Sequence, residues 1–214
     1  MSIVEIPARD LARVLPFRAE DDLRYYLNGV YVEPYSDGCL LVATNGHWIA
    51  VMDSKGARAD LARILSVSKP FDKAIREAVS SHSEAKVTVD TETSRAVLSA
   101  EYERYVEPGT TPFLDGKFPE WRKVIPPVEH LKPGLIAPLQ TKYISYLQRS
   151  TTPDDHYPGV RFWHDSRDPE KTAVVARFNK CPEFIVAIMP VRDFGSMEWP
   201  TWMVPAQGAA AANS

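Results

Sequence analysis

The chain has 214 residues, 44% of them hydrophobic and 25% charged, a balance typical of folded globular domains that excludes wholesale disorder. Its 25 Lys and Arg against 28 Asp and Glu give a formal net charge of -3. A surface basic all over, as in proteins that coat nucleic acid, is thereby excluded, while a local basic patch is not. The 18 prolines outnumber the 10 glycines, which points to many short elements separated by stiff turns.

From the N-terminus, Met1 to Pro7 show no basic region leading into an apolar core, so no secretory leader is expected. No apolar run reaches the roughly 18 residues that span a membrane, and a soluble cytoplasmic protein is the expectation. The first helix is predicted over 7–15, with an apolar stripe at Ala8, Leu11, Ala12 and Leu15. Strands follow at 29–33, 39–44 and 48–53, joined by Ser36-Asp37-Gly38 and Asn45-Gly46. A second helix over 69–79 opens on Ser68 as cap and Pro70 in the first turn, and carries Phe71, Ala74, Ile75, Ala78 and Val79 on one face. Strands are predicted next at 86–90, 95–100 and 102–106. The third helix is expected to begin at Pro138 and run to Leu147, followed by strands at 160–164, 172–178 and 184–191.

The same unit therefore occurs three times: a lead strand, a helix opened by proline, then an antiparallel meander. Its prolines, Pro7, Pro70 and Pro138, lie 63 and 68 residues apart. Such a unit has one helix and one sheet face to bury, and pairing units into an α+β layered fold is the economical solution. The first two units form a natural pair over 1–116. The third, 117–205, is expected to keep an exposed apolar face unless another chain covers it, which predicts a two-fold dimer first and leaves a ring open. In an alternative, residues 194–205, with Trp199 and Trp202, fold back over it. The low-complexity residues 206–214 read as a mobile tail.

Catalytic signatures are absent: there is no GxGxxG, no phosphate-binding loop and no G-x-S-x-G elbow. Cys39 and Cys181 lie in apolar runs and read as buried thiols. Asp154-Asp155-His156 reads as a solvated turn rather than a metal site, since no further convergent ligands accompany it. No cofactor and no metal are expected. The basic residues are more ordered. Arg9 and Arg13 sit four apart, off the apolar stripe of the first helix; Lys69, Lys73 and Arg76 make a row on the second; Lys142 and Arg149 are seven apart on the third. Three such rows projecting from one layer would form a positive surface suited to the backbone of double-stranded DNA, without sequence reading.

Two blocks are more specific, Arg24-Tyr25-Tyr26-Leu27-Asn28-Gly29 and Val42-Ala43-Thr44-Asn45-Gly46-His47-Trp48-Ile49-Ala50-Val51. In this order and spacing they resemble the middle domain of the bacterial replicative sliding clamp, the beta subunit of DNA polymerase III. Residues 115–126 resemble the clamp's passage into its last domain, and Ala187-Ile188-Met189-Pro190-Val191-Arg192 its C-terminal strand. The resemblance implies the DNA-clamp fold, with helices lining a DNA hole, in a relative that lacks the family's first domain. It implies a non-catalytic processivity or tethering factor in DNA replication or repair. Its partners would be double-stranded DNA, further copies of the chain as a homo-oligomer, and short linear motifs of a polymerase, clamp loader or repair protein. The matching peptide pocket comprises Leu27, Thr44, Gly46, His47, Trp48, Ile49, Pro126, Met189, Pro190, Val191 and Arg192. Trp48 stands where the family commonly has a basic residue and is expected to narrow the pocket or change which peptides fit. By the same resemblance Arg24, Tyr25 and Tyr26 lie in a DNA-touching loop, Arg24 on phosphate and the tyrosines on unpaired bases. The rival readings are a non-encircling interaction protein that modulates a resident clamp or its partners and, more distantly, a metal-dependent nuclease using Asp154, Asp155 and His156.

Overall fold

A computed structural model describes residues 3–82, 84–93, 95–100, 103–106, 113–156 and 158–192. Trp199, Trp202 and the expected fold-back and tail lie outside the described residues, as does residue 102 of a predicted strand. Strand β1 (Ile3–Pro7) runs directly into helix α1 (Ala8–Val14). The first meander is β2 (Val30–Tyr35), β3 (Gly38–Thr44) and β4 (Trp48–Ser54). After β5 (Arg63–Leu65) comes α2 (Lys69–Ser81), where the Ser68 hydroxyl accepts the Phe71 N–H at 3.2 Å and Pro70 sits in the first turn. The second meander is β6 (Lys86–Asp90), β7 (Arg95–Ala100) and β8 (Glu103–Val106), followed by β9 (Phe113–Leu114) and β10 (Leu131–Pro133). Then come α3 (Thr141–Arg149), β11 (Val160–Asp165), β12 (Val174–Phe178) and β13 (Cys181–Ile188). The third helix starts later than its proline suggests. Pro138 stays extended ahead of it, its carbonyl accepting the Val191 N–H at 3.0 Å.

The first two units exchange their lead strands. β1 pairs with β6 in a sheet of order β1-β6-β7-β8, while β5 pairs with β2 in a nine-stranded sheet of order β10-β11-β12-β13-β4-β3-β2-β5-β9. The third unit enters that same sheet, because β13 lies antiparallel to β4 with Phe184 opposite Met52 and Ile188 opposite Trp48. The expectation that this unit lacks a partner within the chain is therefore corrected. Val174, Ala176, Phe184, Val186 and Ile188 share one helix-side core with Leu11, Phe17, Phe71, Tyr143 and Leu147. At roughly 25 cal/mol per Å², the apolar face expected to drive self-association is already covered, and the counting argument for a dimer loses its premise.

A second correction concerns α1. Arg13 does not project from the helix layer; it is 4% exposed and faces the loop after α3. Its guanidinium donates to both Asp155 carboxylate oxygens at 2.6 and 2.9 Å, to Thr152 Oγ1 at 3.1 Å and to the Ser150 carbonyl at 3.2 Å. Asp155 is buried rather than part of a solvated turn, and Asp154 receives Arg9 at 3.2 Å on the surface. The reason is tertiary. With both sheets and the 150–155 loop packed around it, α1 has six of its seven residues buried, Arg13 and Asp10 among them. Burial works against the Asp155 charge, but the hydrogen bonds from Arg13 and the Thr152 N–H hold its carboxyl below the usual range. At Asp10 burial wins and raises the pKa, against the Ser54 hydroxyl donating at 2.6 Å and the charges of Arg9 and Arg13.

Removing one partner of a buried ion pair strands the other. Arg13→Ala is therefore expected to lower unfolding stability by about 3–5 kcal/mol, and Arg9→Ala, at an exposed pair, by less than about 1 kcal/mol, both read from urea denaturation. Asp10→Asn keeps an acceptor for Ser54 and removes a buried charge. The folded-state pKa of Asp10 lies above its unfolded value, so the native state holds the proton more tightly and the charged form is penalised as pH rises. Stability curves should show Asp10→Asn level with the parent at pH 3, gaining on it as pH rises from the unfolded Asp value near 3.8 through the raised Asp10 value, and keeping a constant lead above that.

Candidate functional site

A cleft of about 320 Å³ opens on the sheet face opposite the helices, where the first and third units meet. One wall is the turn between β3 and β4. Thr44 Oγ1 accepts the Gly46 N–H at 3.1 Å and donates to the Trp48 carbonyl at 2.6 Å, while Asn45 Oδ1 accepts the His47 N–H at 2.9 Å. Gly46 has φ +90, a backbone conformation that calls for glycine, and a Cβ there would lie 3.3 Å from the movable Arg24 guanidinium. The tight turn Tyr25–Leu27 places Leu27 at the base. A second tight turn, Trp121–Val124, supplies the facing wall. It is pinned by Trp121 Nε1 donating to Glu33 at 3.1 Å and leaves Val124 48% exposed. Ala173 just before β12, Ala187 on β13 and Met189 just after it complete the lining, and the Met189 N–H donates to the His47 carbonyl at 2.9 Å, extending the β4–β13 ladder to the mouth. The two alanines leave space where a larger apolar side chain would fill it.

Leu27, Thr44, Gly46, His47, Trp48, Ile49 and Met189 all line this cleft. Pro126, Pro190, Val191 and Arg192 do not. Pro126 is buried beyond the Trp121–Val124 turn, Val191 is held by the Pro138 carbonyl, and Arg192 is exposed. Pro119, Glu120, Trp121, Val124, Ala173 and Ala187 were not among the expected residues. The first four belong to the 115–126 block, whose apolar and proline content was their signal; the alanines carried none. Trp48 does not act as a narrowing side chain. Its ring is 4% exposed and turned into the helix-side core, donating Nε1–H to the Phe17 carbonyl at 2.8 Å and lying 4.7 and 4.6 Å from the Tyr143 and Tyr146 rings.

Arg24 stands at the rim, 51% exposed at the side chain, held by Asp22 at 2.8 Å and the Asn45 carbonyl at 3.4 Å. Hydrogen bonds from its side chain, then from its backbone N–H, draw Asp22 down to about 2. Tyr25 is exposed and Tyr26 half-buried, their rings edge to face at 5.9 Å. On the helix side α2 and α3 are drawn together where Arg76 donates to the Arg149 carbonyl at 3.2 Å. Arg76 also meets Asp72 at 2.8 Å, and Arg149 lies 4.6 Å over the Tyr146 ring. Lys69 and Lys73 are exposed with loose partners, Asp21 at 3.8 Å and Glu77 at 3.6 Å, and Lys142 is exposed. Of the cations expected on the three helices, those of α2 and α3 and Arg9 reach the surface at least in part, and Arg13 does not.

This arrangement, antiparallel sheets backing helices with lead strands exchanged between units, is the DNA-clamp fold. Solved structures agree: the DNA polymerase III subunit beta of Pseudomonas aeruginosa matches with TM-score 0.62 at 15% identity, covering 90% of this chain and 67% of that one. The beta subunit of Thermotoga maritima matches with TM-score 0.59 at 15% identity, covering 90% and 66%. Residues 10–120 match the family model of the DNA polymerase III beta subunit, central domain. The beta sliding clamp of Vibrio cholerae is 29% identical over 164 residues, 75% of this chain and 42% of that protein. The Escherichia coli K12 beta sliding clamp is 25% identical over 158 residues, 72% and 40%. The chain belongs to the DNA polymerase III beta subunit family through that central domain, and it spans about two-fifths of the length of these relatives.

Trp48→Phe removes the indole N–H that donates to the Phe17 carbonyl and shrinks a buried ring. Its effect should be a loss of unfolding stability of about 1–3 kcal/mol, with ligand affinity at the cleft unchanged. A variant with altered affinity and unaltered stability would return the indole to the cleft wall.

Proposed function

We propose that the chain is a non-catalytic tether of DNA replication or repair in the cytoplasm, holding partner proteins through the cleft and double-stranded DNA through the cations of α2 and α3. Residues 1–116 act as a paired two-unit domain and 117–205 as a single-unit half domain. The observation that carries the reading is the cleft itself. It is apolar where Leu27, Ile49, Ala173, Ala187 and Met189 meet, with exposed polar side chains from Arg24, His47 and Glu120 and the buried Thr44 already engaged in its turn. That chemistry suits short linear motifs with hydrophobic anchors, such as those of a polymerase, clamp loader or repair protein. The DNA arm rests on Lys69, Lys73, Arg76, Lys142 and Arg149, with Arg9 at its edge, and reads backbone rather than sequence. Arg24, Tyr25 and Tyr26, on the rim side, serve unpaired template rather than duplex. Assembly into a homo-oligomer belongs to this reading but needs a surface other than the covered third-unit face.

A second reading, a non-encircling interaction protein, is favoured by one observation: Arg13 is buried, and Arg76 is engaged by Asp72 and the Arg149 carbonyl, so fewer cations are free than three basic rows imply. Retention on closed circular against linear DNA separates the two, since a topological tether is lost from free ends and a surface binder is not.

Peptides carrying Gln followed by spaced Leu and Phe should bind the folded chain in calorimetry. Met189→Ala and Val124→Glu should each weaken them by about 1–3 kcal/mol. Absence of binding to folded protein would remove the pocket. The double variant Lys73→Glu, Lys142→Glu should weaken duplex binding alike for all sequences and reduce the salt slope by about 1 per lost phosphate contact; an unchanged slope would make these ordinary solvated faces.

A further inference from the structure

On the cleft side of the third unit, Arg161 of β11 lies directly opposite Arg177 of β12. Like charges facing each other across an antiparallel pair are destabilising unless something neutralises them. Among the described residues neither guanidinium has an ion-pair partner, and both residues are exposed. The carboxylate sharing their strand face, Asp165, is bound by Arg167 at 2.6 Å. Arg177 lies 5.6 Å over the half-buried Trp163 ring, a cation–π contact that tethers its guanidinium to this face of the sheet. A shallow hollow beside the pair is completed by Asn179.

The pair is continuous with the cleft. On β13 Ala187, a cleft residue, and Ile185 share one face, and Ile185 is opposite Arg177. Two residues along a strand cover about 7 Å, so the guanidinia begin one short step from the cleft wall, reached across Val175 and Ile185. An extended peptide with its anchors in the cleft can traverse that step in two residues.

We infer that the peptides taken by this cleft carry acidic side chains on the flank that leaves over β12, where Arg161 and Arg177 receive them. This rests on the cleft being a peptide site and adds a charge rule to it. The geometry favours a carboxylate of the tethered peptide over a separate anion, because the arginines lie on the path out of the cleft and on the sheet face away from the α2 and α3 cations.

Fluorescence anisotropy with the full chain tests it. Labelled anchor peptides flanked by three Ser, or by three Asp on either the N- or the C-terminal side, are titrated at low and high salt. One Asp-flanked peptide should bind about three- to tenfold tighter than its Ser counterpart at low salt. That gain should vanish at high salt and in Arg161→Glu and Arg177→Glu, which bind the Ser peptide as the parent does. Arg161→Glu places opposite charges across the strands and should melt no lower than the parent, so loss of the gain is not unfolding. Equal affinities for Ser- and Asp-flanked peptides would overturn the inference and leave the cleft reading standing; failure of the Ser peptide to bind would remove both. Oligothymidylate binding abolished by Arg161→Glu, with no gain for either Asp peptide, would assign the pair to nucleic acid instead and also overturn it.

Discussion

The antiparallel seam between β4 and β13 is the contact on which the rest of the structure depends. Five residue pairs, from Phe184 opposite Met52 to Ile188 opposite Trp48, join the first unit to the third. Because side chains alternate across a sheet, this register assigns both faces at once. Trp48, Ala50 and Met52 join Phe184, Val186 and Ile188 in the helix-side core, while Ile49 and Val51 join Ala187 and, at its edge, Ile185 on the other side. A slip of one residue would turn the indole of Trp48 out and Ile49 in. The cleft exists because the seam brings β12 and β13 beside the turn at Gly46, and continues one further hydrogen bond to Met189.

Above the seam, Phe17 organises the helix side. Its ring meets those of Trp48 and Phe184 at 6.0 and 6.1 Å, and its carbonyl takes the indole N–H. α3 closes over Trp48 through Tyr143 and Tyr146. The Arg13–Asp155 pair then fastens the loop after α3 to α1. Relative to an apolar pair of equal volume such a contact adds little net stability. Its effect is to make one placement of the loop far better than its neighbours, since any other strands two charges away from water. The third unit is thus held twice, by its last strand and by the loop that follows its helix.

Much of this was legible in the chain. The meanders were read from alternation and turn residues, and observed strands β2 to β4 differ from the expected ones by two residues or fewer at any end. α2 was the clearest helix, with Ser68 and Pro70 marking its start. Reading failed where a neighbour distant in sequence decides the outcome. Periodicity placed Arg13 off the stripe of α1, but a helix enclosed on every side has no outer face, and Asp155 is 142 residues away. Pro138 resembled Pro7 and Pro70 as a helix opener, yet its carbonyl is taken by Val191, just beyond the last strand and 53 residues later. The third unit displayed an apolar face without naming what covers it. At the cleft, family-like blocks located the turn at Gly46 and the strand at Met189, whereas Ala173 and Ala187 matter for what they leave empty, and Trp48 for a direction that spacing alone does not give.

Backbone amide hydrogen exchange, followed residue by residue, tests the seam most directly. The amides of β13 that bond to β4, together with that of Met189, should be as strongly protected as those between β3 and β4 and should open with them as one cooperative unit. Early, independent exchange along 184–189, with β3 and β4 still protected, would mean that the third unit is not built into the same core, and that the cleft between them is not preformed.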